Sequence, residues 1–340
     1  APGVAISAVS AYLNKMGGGG DDKKSSARTE KRVKLGILGC MFAGGYLMVN
    51  YEALTAAAEV EYAPAVERHE STWVVSIGAS RYFSNYRHGS NALAVRRAAS
   101  GVPSERVILM LAANAGCDAR NSRRGEVYLS ADATRRQEPN NLYEGDCFAD
   151  VDYSGLDVTP QSVVDLLAGR HAPSEPRSRR LMSTARSNVL IYLTGHGGDE
   201  FLKFHDSEEL SATSLAWALQ EMSAKKRYRK VLLIVDTCQA ASLFNKLSSR
   251  TTPHVIAIAS AITGQNAYAS APDPELGVAL ADRFTERALT WLAKHGHETL
   301  GDFVDAMRRA PTRSTLFIKD TAHQSDEPEA WRRTPLSDFF

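Results

Sequence analysis

Residues Lys230–Ala240 read KVLLIVDTCQA, and the pattern of these residues predicts the fold class. Val231–Val235 is a continuous apolar run rich in β-branched residues, which is typical of a strand buried on both faces of a parallel sheet. The run ends abruptly at Asp236, Thr237 and Cys238. Ligands of such sheets bind beyond the carboxyl ends of the strands, so the sequence predicts that this thiol lies where a ligand reaches it.

A second stretch, Asn188–Gly198, has the same design and reads NVLIYLTGHGG. Its apolar strand ends in a glycine-rich turn that carries His196. Helical periodicity over Ser211–Ala224 predicts a crossover helix between the two strands. If the strands are parallel neighbours, their carboxyl ends share one edge of the sheet, and we expect His196 and Cys238 to face each other there.

The rest of the chain alternates between strand and helix patterns, which predicts a three-layer α/β/α fold with a mostly parallel central sheet. The polar stretch Asp118–Asn141 is expected to form an insertion or surface loops. The further predicted strands are Thr72–Ala79, Arg106–Ala112, His254–Ser260 and Ser314–Ile318, and the further predicted helices are Asn85–Ala99 and Ala281–Lys294.

A histidine beside a cysteine is the arrangement that nucleophilic catalysis requires. The imidazole raises the thiolate fraction and protonates the leaving amine. The amide groups of Gly197 and Cys238 are candidates for an oxyanion hole. Three plainer readings stay open: a cysteine buried as a small apolar residue, a histidine with a structural hydrogen bond, and a glycine loop that binds phosphate.

Composition narrows the class of protein. The chain has 340 residues, is 44% hydrophobic and 23% charged, and carries a net charge of +1. This balance is typical of a globular protein, and it gives no support for nucleic-acid binding or a polybasic membrane face. The cysteines are too few for a disulfide framework and match no zinc spacing; they are Cys40, Cys117, Cys147 and Cys238.

The N-terminal part has the pattern of a secretory signal. LGILGCMFAGGYLMV, Leu35–Val49, is an apolar run that follows the basic KRVK and precedes small residues. We therefore expect a disordered or non-native extension over residues 1–34, a signal peptide over 35–58 and a catalytic domain over 59–340. An uncleaved anchor and a buried core helix are the alternatives for the apolar run.

Strand–His–Gly followed by strand–Asp–x–Cys resembles the caspase/legumain-like cysteine peptidases. Longer motifs narrow the resemblance to the catalytic subunits of GPI transamidases, and it covers about residues 70–340. These motifs are SRYFSNYRHGSNALAVRR (80–97), PRSRRLMSTARSNVLIYLTGHGGDEFLKFHDSEEL (176–210), LLIVDTCQAASLF (232–244), APDPELGVALADRFT (271–285) and TPLSDFF at the C-terminus. The resemblance implies a caspase–hemoglobinase-like α/β/α fold.

The resemblance also implies an activity. Cys238 would attack the ω-site carbonyl of a precursor, remove its C-terminal GPI signal and form an acyl thioester. His196 would move the proton, and the ethanolamine-phosphate amine of GPI would resolve the thioester. Asn85 matches a residue that orients the histidine, although asparagine also favours a helix N-cap. Asp236 matches a position of the substrate pocket.

The resemblance implies that the reaction needs no cofactor. It also implies roles for residues that take no part in the reaction. Cys117 matches a cysteine that forms a disulfide with a partner subunit, as suits an oxidising lumen. A structural calcium ion would match Ser104, the Val107 carbonyl, Asp150 and Asp152, with a solvated acidic turn as the alternative. A loop that shields the active site matches Asn266, Ala267, Tyr268, Ala269, Ser270 and Ala271.

The implied setting is the lumen of the endoplasmic reticulum, in a membrane-associated multisubunit complex that handles precursor proteins and GPI lipid. No apolar run of ~20 residues follows the last predicted strand. We therefore expect either a soluble member held by its partners or a sequence that stops before an anchor. Two other functions stay open: a legumain-like asparaginyl endopeptidase or ligase, and an inactive peptidase-like scaffold.

Overall fold

A central seven-stranded sheet organises the part of the computed structural model that is described, which comprises residues 71–130, 141–143, 151–322 and 329–340. The strands of this sheet lie in the order β10-β9-β8-β4-β1-β2-β3. They are β1 (Thr72–Gly78), β2 (Val107–Leu111), β3 (Tyr153–Ser154), β4 (Asn188–Thr194), β8 (Lys230–Asp236), β9 (Val255–Ala259) and β10 (Phe317–Asp320). The strands β5 (Gly197–Gly198), β6 (Phe201–Phe204) and β7 (Glu208–Ser211) form a small second sheet.

Every pairing in the central sheet is parallel except that of β10, which runs antiparallel to β9 at one edge. Parallel neighbours need long crossovers, and helices supply them. The helices are α1 (Tyr86–Ala98), α2 (Pro160–Ala168), α3 (Ala212–Ala224), α4 (Arg283–His295) and α5 (Leu300–Arg309).

The helices cover both faces of the sheet. Two successive residues of β1 show the arrangement, because Val75 packs in the core cluster on the α2/α3 face whereas Val74 packs in the cluster on the α1/α4/α5 face. Side chains of successive strand residues point to opposite faces, so a strand buried on both faces reads as an unbroken apolar run. The predicted three-layer α/β/α fold is confirmed.

The predicted elements are found, with one shift. The strand expected at Ser314–Ile318 lies instead at Phe317–Asp320. The hydroxyl of Ser314 donates to the Ser260 carbonyl and the Thr315 amide donates to the Gln265 side chain, so these residues bind loop groups before strand pairing begins. The helices α2 and α5 and the small sheet were not predicted.

Residues Ala65–Phe340 form one compact unit. The catalytic domain expected over residues 59–340 stays a prediction. The N-terminal extension over 1–34 and the signal peptide over 35–58 lie outside the described residues and stay predictions. No helix in the described ranges is both long and apolar enough to cross a membrane.

Candidate active site

The register of β4 and β8 brings His196 and Cys238 to the same place. Thr194 is paired with Asp236 at the carboxyl end of the two strands. His196 lies two residues after Thr194, and Cys238 lies two residues after Asp236. Neighbouring parallel strands lie about 4.8 Å apart, so the two loops leave the sheet side by side. The structure thus confirms the shared edge that the sequence predicted.

The two loops are in direct contact through Gly197. A Cβ atom built on Gly197 would lie 2.5 Å from Oγ1 of Thr237 and 3.0 Å from the Cys238 carbonyl oxygen. The Thr237 hydroxyl also donates to the Gly195 carbonyl oxygen at 2.8 Å. Only a residue without a side chain fits here, so the glycine next to the histidine is required by the approach of the cysteine loop.

Asn85 orients the candidate base. Its Oδ1 lies 2.9 Å from Nε2 of His196, and its Nδ2 donates to the Arg81 carbonyl oxygen at 2.8 Å. An amide oxygen accepts and cannot donate, so Nε2 carries the proton and Nδ1 is the basic nitrogen. Asn85 also occupies the N-cap position of α1, as the sequence predicted, but its side chain makes no cap bond there.

The surroundings of His196 favour its neutral form. Partial burial, together with the positive charges of Arg87 and Lys203, lowers its pKa below the usual value, against an opposing effect of Asp206. A neutral imidazole can accept a proton at neutral pH, whereas an imidazolium cannot. His196 is therefore in the state that a general base needs.

Cys238 is a free, half-buried cysteine followed by a strained turn. Gln239 adopts a left-handed conformation with φ of 53°. Its amide donates to the Gln265 carbonyl oxygen at 2.8 Å, and its side chain accepts from the Gly264 amide at 3.0 Å. A non-glycine residue stays in this region only when its surroundings hold it there, so the turn after the thiol is fixed by the 264–265 segment.

The loop from Asn266 to Ala271 lies against the thiol. The Ala267 carbonyl oxygen is 3.9 Å from Sγ of Cys238. Beyond that contact, Ala269 accepts from Nε of Arg283 at 3.0 Å, and Ser270 donates its amide to the Ala281 carbonyl oxygen at 2.9 Å. The loop is therefore anchored at the start of α4, while its centre occupies space next to the candidate nucleophile. Its autoinhibitory role stays a prediction.

Asp236, the predicted pocket residue, is only 1% exposed. Its Oδ2 accepts from the Thr285 hydroxyl at 2.6 Å, and that hydroxyl also contacts the Tyr192 hydroxyl at 2.6 Å. Oδ1 of Asp236 has no hydrogen-bond partner among the described residues. Burial raises the pKa of this carboxyl group. A buried acceptor without a partner is costly, and a donor from a substrate would satisfy it.

A second buried acid, Asp282, was missed by the sequence analysis. It occupies the N-cap position of α4, but its side chain makes no cap bond there. Its carboxylate accepts from Nε of Arg87 at 3.1 Å and from Nδ2 of Asn91 at 2.7 Å, and lies 3.7 Å from Nε2 of His88. Burial and the nearby charge of Asp236 raise its pKa to about 7.

His88 lies between Asp282 and the candidate base His196 and contacts both. The His88 ring packs edge-on against the His196 ring, with 5.1 Å between the ring centroids. Burial and the positive charge of Arg87 lower the pKa of His88, so it is neutral. The sequence held one signal of this cluster, because Arg87 and His88 directly follow the Asn85 motif. The partner acid lies 195 positions away from Arg87 along the chain and has no local signature.

The remaining predicted residues are placed as follows. The described calcium candidates supply one carboxylate, that of Asp152, whose Oδ2 accepts from the Leu109 amide at 2.9 Å. Ser104 is exposed and Val107 begins β2, while Asp150 lies outside the described residues. Calcium takes six to eight oxygen ligands, so these three residues do not form a calcium site by themselves. The calcium ion stays a prediction.

Cys117 lies at the end of a short 3₁₀ turn, Ala115–Cys117, and is disulfide-bonded in the structure. A bond from Cys117 to a partner subunit stays a prediction. Cys40 and Cys147 lie outside the described residues. The oxyanion role of the Gly197 and Cys238 amides also stays a prediction.

The geometry brings together a candidate nucleophile, an oriented neutral base and a buried cluster of polar side chains at the carboxyl ends of the parallel strands. Comparisons with known proteins give the family of the chain. A protein of Drosophila melanogaster whose name includes the words GPI-anchor transamidase is 41% identical over 277 residues, which is 80% of this chain and 74% of that protein. The GPI-anchor transamidase of Sus scrofa is 36% identical over 304 residues, 87% of this chain and 73% of that protein.

Among solved structures, caspase-1 from Spodoptera frugiperda matches 74% of this chain and 87% of its own with a TM-score of 0.42 and 8% identity, a likeness too weak to carry an argument. The GPI-anchor transamidase of Schizosaccharomyces pombe is 36% identical over 304 residues, 86% of this chain and 75% of that protein. The model of the Peptidase C13 family matches residues 72–324. The chain belongs to the Peptidase C13 family.

Proposed function

We propose that this chain is the catalytic subunit of a GPI transamidase, which cleaves the GPI signal from a precursor and transfers the ω-site carbonyl to the amine of GPI. The observation that carries the proposal is the pairing of Cys238 with a base whose neutral form is favoured and whose tautomer Asn85 sets. The names of relatives at 36–41% identity over most of the chain support the transferase reaction over simple hydrolysis.

The first half of the reaction is acylation. Nδ1 of His196 takes the thiol proton, and the Cys238 sulfur attacks the carbonyl carbon of the ω residue. The amides of Gly197 and Cys238 stabilise the oxyanion. The C–N bond to the signal peptide breaks, the imidazolium gives its proton to the leaving amine, and an acyl thioester stays on Cys238.

The second half is aminolysis. The ethanolamine-phosphate amine of GPI attacks the thioester, and His196 accepts a proton from the attacking nitrogen. The sulfur leaves as thiolate and recovers the proton from the imidazolium, so the enzyme returns to its starting state. No step requires an oxidant, a reductant or a metal ion.

The buried polar side chains near His196 are suited to recognise the ω residue of the precursor. The partnerless Oδ1 of Asp236 and the carboxyl group of Asp282 can accept from donors, and Arg87 can donate. Because the loop centred on Ala267 lies against the thiol, a precursor must displace that loop before acylation. We propose that this loop suppresses hydrolysis until a precursor binds.

We also propose the compartment and the complex in which the enzyme works. An enzyme that acts on translocated precursors and on a lipid works in the lumen of the endoplasmic reticulum, associated with the membrane through a multisubunit complex. One of those subunits would be linked through Cys117. A structural calcium ion involving Ser104, Val107, Asp150 and Asp152 belongs to the proposal and takes no part in the mechanism.

The test uses membranes depleted of their own catalytic subunit and supplied with this chain, together with a reporter precursor that carries a GPI signal. We expect a GPI-linked product with wild type and none with Cys238→Ser, in complexes that assemble equally. Cleavage that leaves a free carboxyl group on asparagine, without GPI transfer, would establish a legumain-like endopeptidase instead. Precursor binding by Cys238→Ser and wild type alike, without any product from wild type, would indicate a scaffold.

A further inference from the structure

A cluster of cations lies at the amino-terminal ends of β4 and β8. The candidate active site lies at the opposite, carboxyl-terminal ends of the same strands. Residues 169–187 lead into β4 and residues 225–230 lead into β8. Together these two segments hold ten arginines and lysines and one acid, Glu175. Each strand is seven residues long, so this edge lies roughly 20 Å from His196 and Cys238. The cluster is therefore separate from the proposed chemistry.

Arg227 is packed into this edge without a carboxylate. Its guanidinium lies against Gly169, where any side chain would collide with it, and one of its terminal nitrogens donates to the Leu181 carbonyl oxygen. Its Nε is buried and has no hydrogen-bond partner among the described residues. Burial lowers the pKa of Arg227, and no neighbouring acid opposes this effect.

Arg180 and His171 share the surroundings of Arg227. The Arg180 guanidinium donates to the carbonyl oxygens of Pro173 and Glu175, and its Nε is buried without a partner in the described part of the chain. Nε2 of His171 is buried and unpartnered in the same way. Arg227 contacts Gly169, two residues before His171, and Leu181, which directly follows Arg180, so the three side chains belong to one region. Burial and the positive charge of Arg227 lower the pKa of His171, with a further effect of Arg180 in the same direction.

The neighbouring acids are already used by other cations. Glu175 pairs with Arg179 at 3.1 Å, Glu221 pairs with Lys225 at 3.0 Å and with Arg170 at 3.2 Å, and Asp338 lies 3.8 Å from Arg229. Within the described ranges, no carboxylate lies within ion-pair distance of five cations of the two segments. These five are Arg177, Arg180, Arg186, Lys226 and Arg227.

We propose that Arg180, Arg227 and His171 form the centre of a binding site for a phosphate group. Half-buried cations without counter-charges are costly, and an anion with several acceptor oxygens would offset that cost. Guanidinium groups present planar forks of donors that match phosphate oxygens, and a multiply charged anion suits a cluster of several cations better than a carboxylate does. The phosphate can come from free phosphate or from a lipid headgroup.

Thermal unfolding of the full chain tests the site. Inorganic phosphate is titrated against sodium chloride and sodium acetate at constant ionic strength, for wild type, Arg180→Gln and Arg227→Gln. Arg287→Gln is the matched control, because Arg287 is an exposed α4 arginine outside the two segments. We expect a saturable rise of about 2–4 °C in Tm with phosphate only, and about tenfold weaker binding in both site variants.

An equal rise with acetate or chloride would overturn the proposal, as would unchanged phosphate binding in Arg180→Gln. Arg227 packs against Gly169 and Leu181, so its variant can lose stability. Arg180→Gln removes hydrogen bonds to loop carbonyls alone and decides the matter if Arg227→Gln does not fold.

Vesicle flotation identifies the source of the phosphate. Binding to phosphatidylinositol vesicles that inorganic phosphate and Arg180→Gln both reduce assigns a lipid headgroup. A phosphate-dependent rise in Tm without vesicle binding assigns free phosphate. Neither result depends on transamidase activity. The phosphate site can therefore be refuted while the proposed transamidase function stands, and the function can be refuted while the phosphate site stands.

Discussion

Nε2 of His196 lies 2.9 Å from Oδ1 of Asn85, and this contact links the base after β4 to a residue that precedes α1. The two residues are 111 positions apart in the chain. Because an amide oxygen accepts only, the contact fixes which ring nitrogen can act as the base. The chemistry proposed for Cys238 depends on this choice of tautomer.

Replacing Asn85 tests that dependence. We expect Asn85→Ala to lower the rate of transfer by about 10–100-fold, because the ring loses its orientation while the base itself remains. Asn85→Asp places a carboxylate next to the imidazole and raises its pKa, so the acid limb of the pH–rate profile moves to higher pH. In wild type this limb should lie below the usual histidine pKa of 6.5.

Ser84→Ala is the matched control for Asn85, because Ser84 is the exposed neighbour. Pre-steady-state transfer rates and their pH profiles, in complexes of equal composition, supply the measurement. An Asn85→Asp profile that coincides with that of wild type would contradict the assigned contact.

Gly197→Ala tests the approach of the two catalytic loops. The added methyl group would lie 2.5 Å from Oγ1 of Thr237, so the loops must separate. A misplacement of about 1 Å costs on the order of 100-fold in rate, and we expect a loss of at least that size with little change in precursor binding.

Gly296→Ala serves as the control for Gly197, because its methyl group would meet the Leu292 carbonyl oxygen at an ordinary 3.4 Å. Transfer kinetics and precursor affinity are measured for both variants. Near-normal transfer by Gly197→Ala would show that the contact is not needed.

The buried acid Asp282 makes folding depend on pH. Its pKa is about 7 in the folded protein and 3.8 for the unperturbed group, so between these values the folded state binds more protons than the unfolded state. The contribution of Asp282 to the free energy of unfolding therefore falls as pH rises from about 4 to about 7. His88 and His196, whose pKa values are lowered, contribute in the opposite direction.

The difference between wild type and Asp282→Asn isolates this effect. Urea unfolding at pH 5 and pH 7.5 should show that the wild type loses about 1–3 kcal/mol more than the variant between the two pH values. Equal changes in the two proteins would mean that Asp282 is ionised throughout.

Arg283→Gln should release the loop that lies against the thiol. The substitution removes the charged hydrogen bond from Nε of Arg283 to the Ala269 carbonyl oxygen. Such a bond contributes about 1.5 kcal/mol or more, so we expect alkylation of Cys238 by iodoacetamide to be about tenfold faster. Arg287→Gln, on the same helix, should react at the wild-type rate, and an unchanged rate in Arg283→Gln would show that the loop does not limit access.

Much of the fold and the centre of the site could be predicted because their signals are local. The apolar runs that end at Thr194 and Asp236 predict parallel strands, and the residues that follow them necessarily meet at one edge. The loop Asn266–Ala271 and Asn85 were predicted from the resemblance of longer motifs. The structure places Asn85 against His196 and Ala267 against Cys238.

What could not be predicted depends on contacts between distant segments. Asp282 stands at the start of a helix, where an aspartate is common as an N-cap. Only the folded chain shows that its carboxylate accepts hydrogen bonds from Arg87 and Asn91 instead. The basic amino edge was hidden in a net charge of +1, because acids elsewhere balance the sum.

The most direct test of the central claim traps the thioester with a surrogate amine. Membranes that contain the complex receive a precursor with a GPI signal and hydrazine, and mass spectrometry reads the new C-terminus for wild type, Cys238→Ala and His196→Ala. We predict a C-terminal hydrazide with wild type and none with either variant. A hydrazide made by Cys238→Ala, or a free carboxyl group as the sole wild-type product, would contradict a Cys238 thioester that is open to amines.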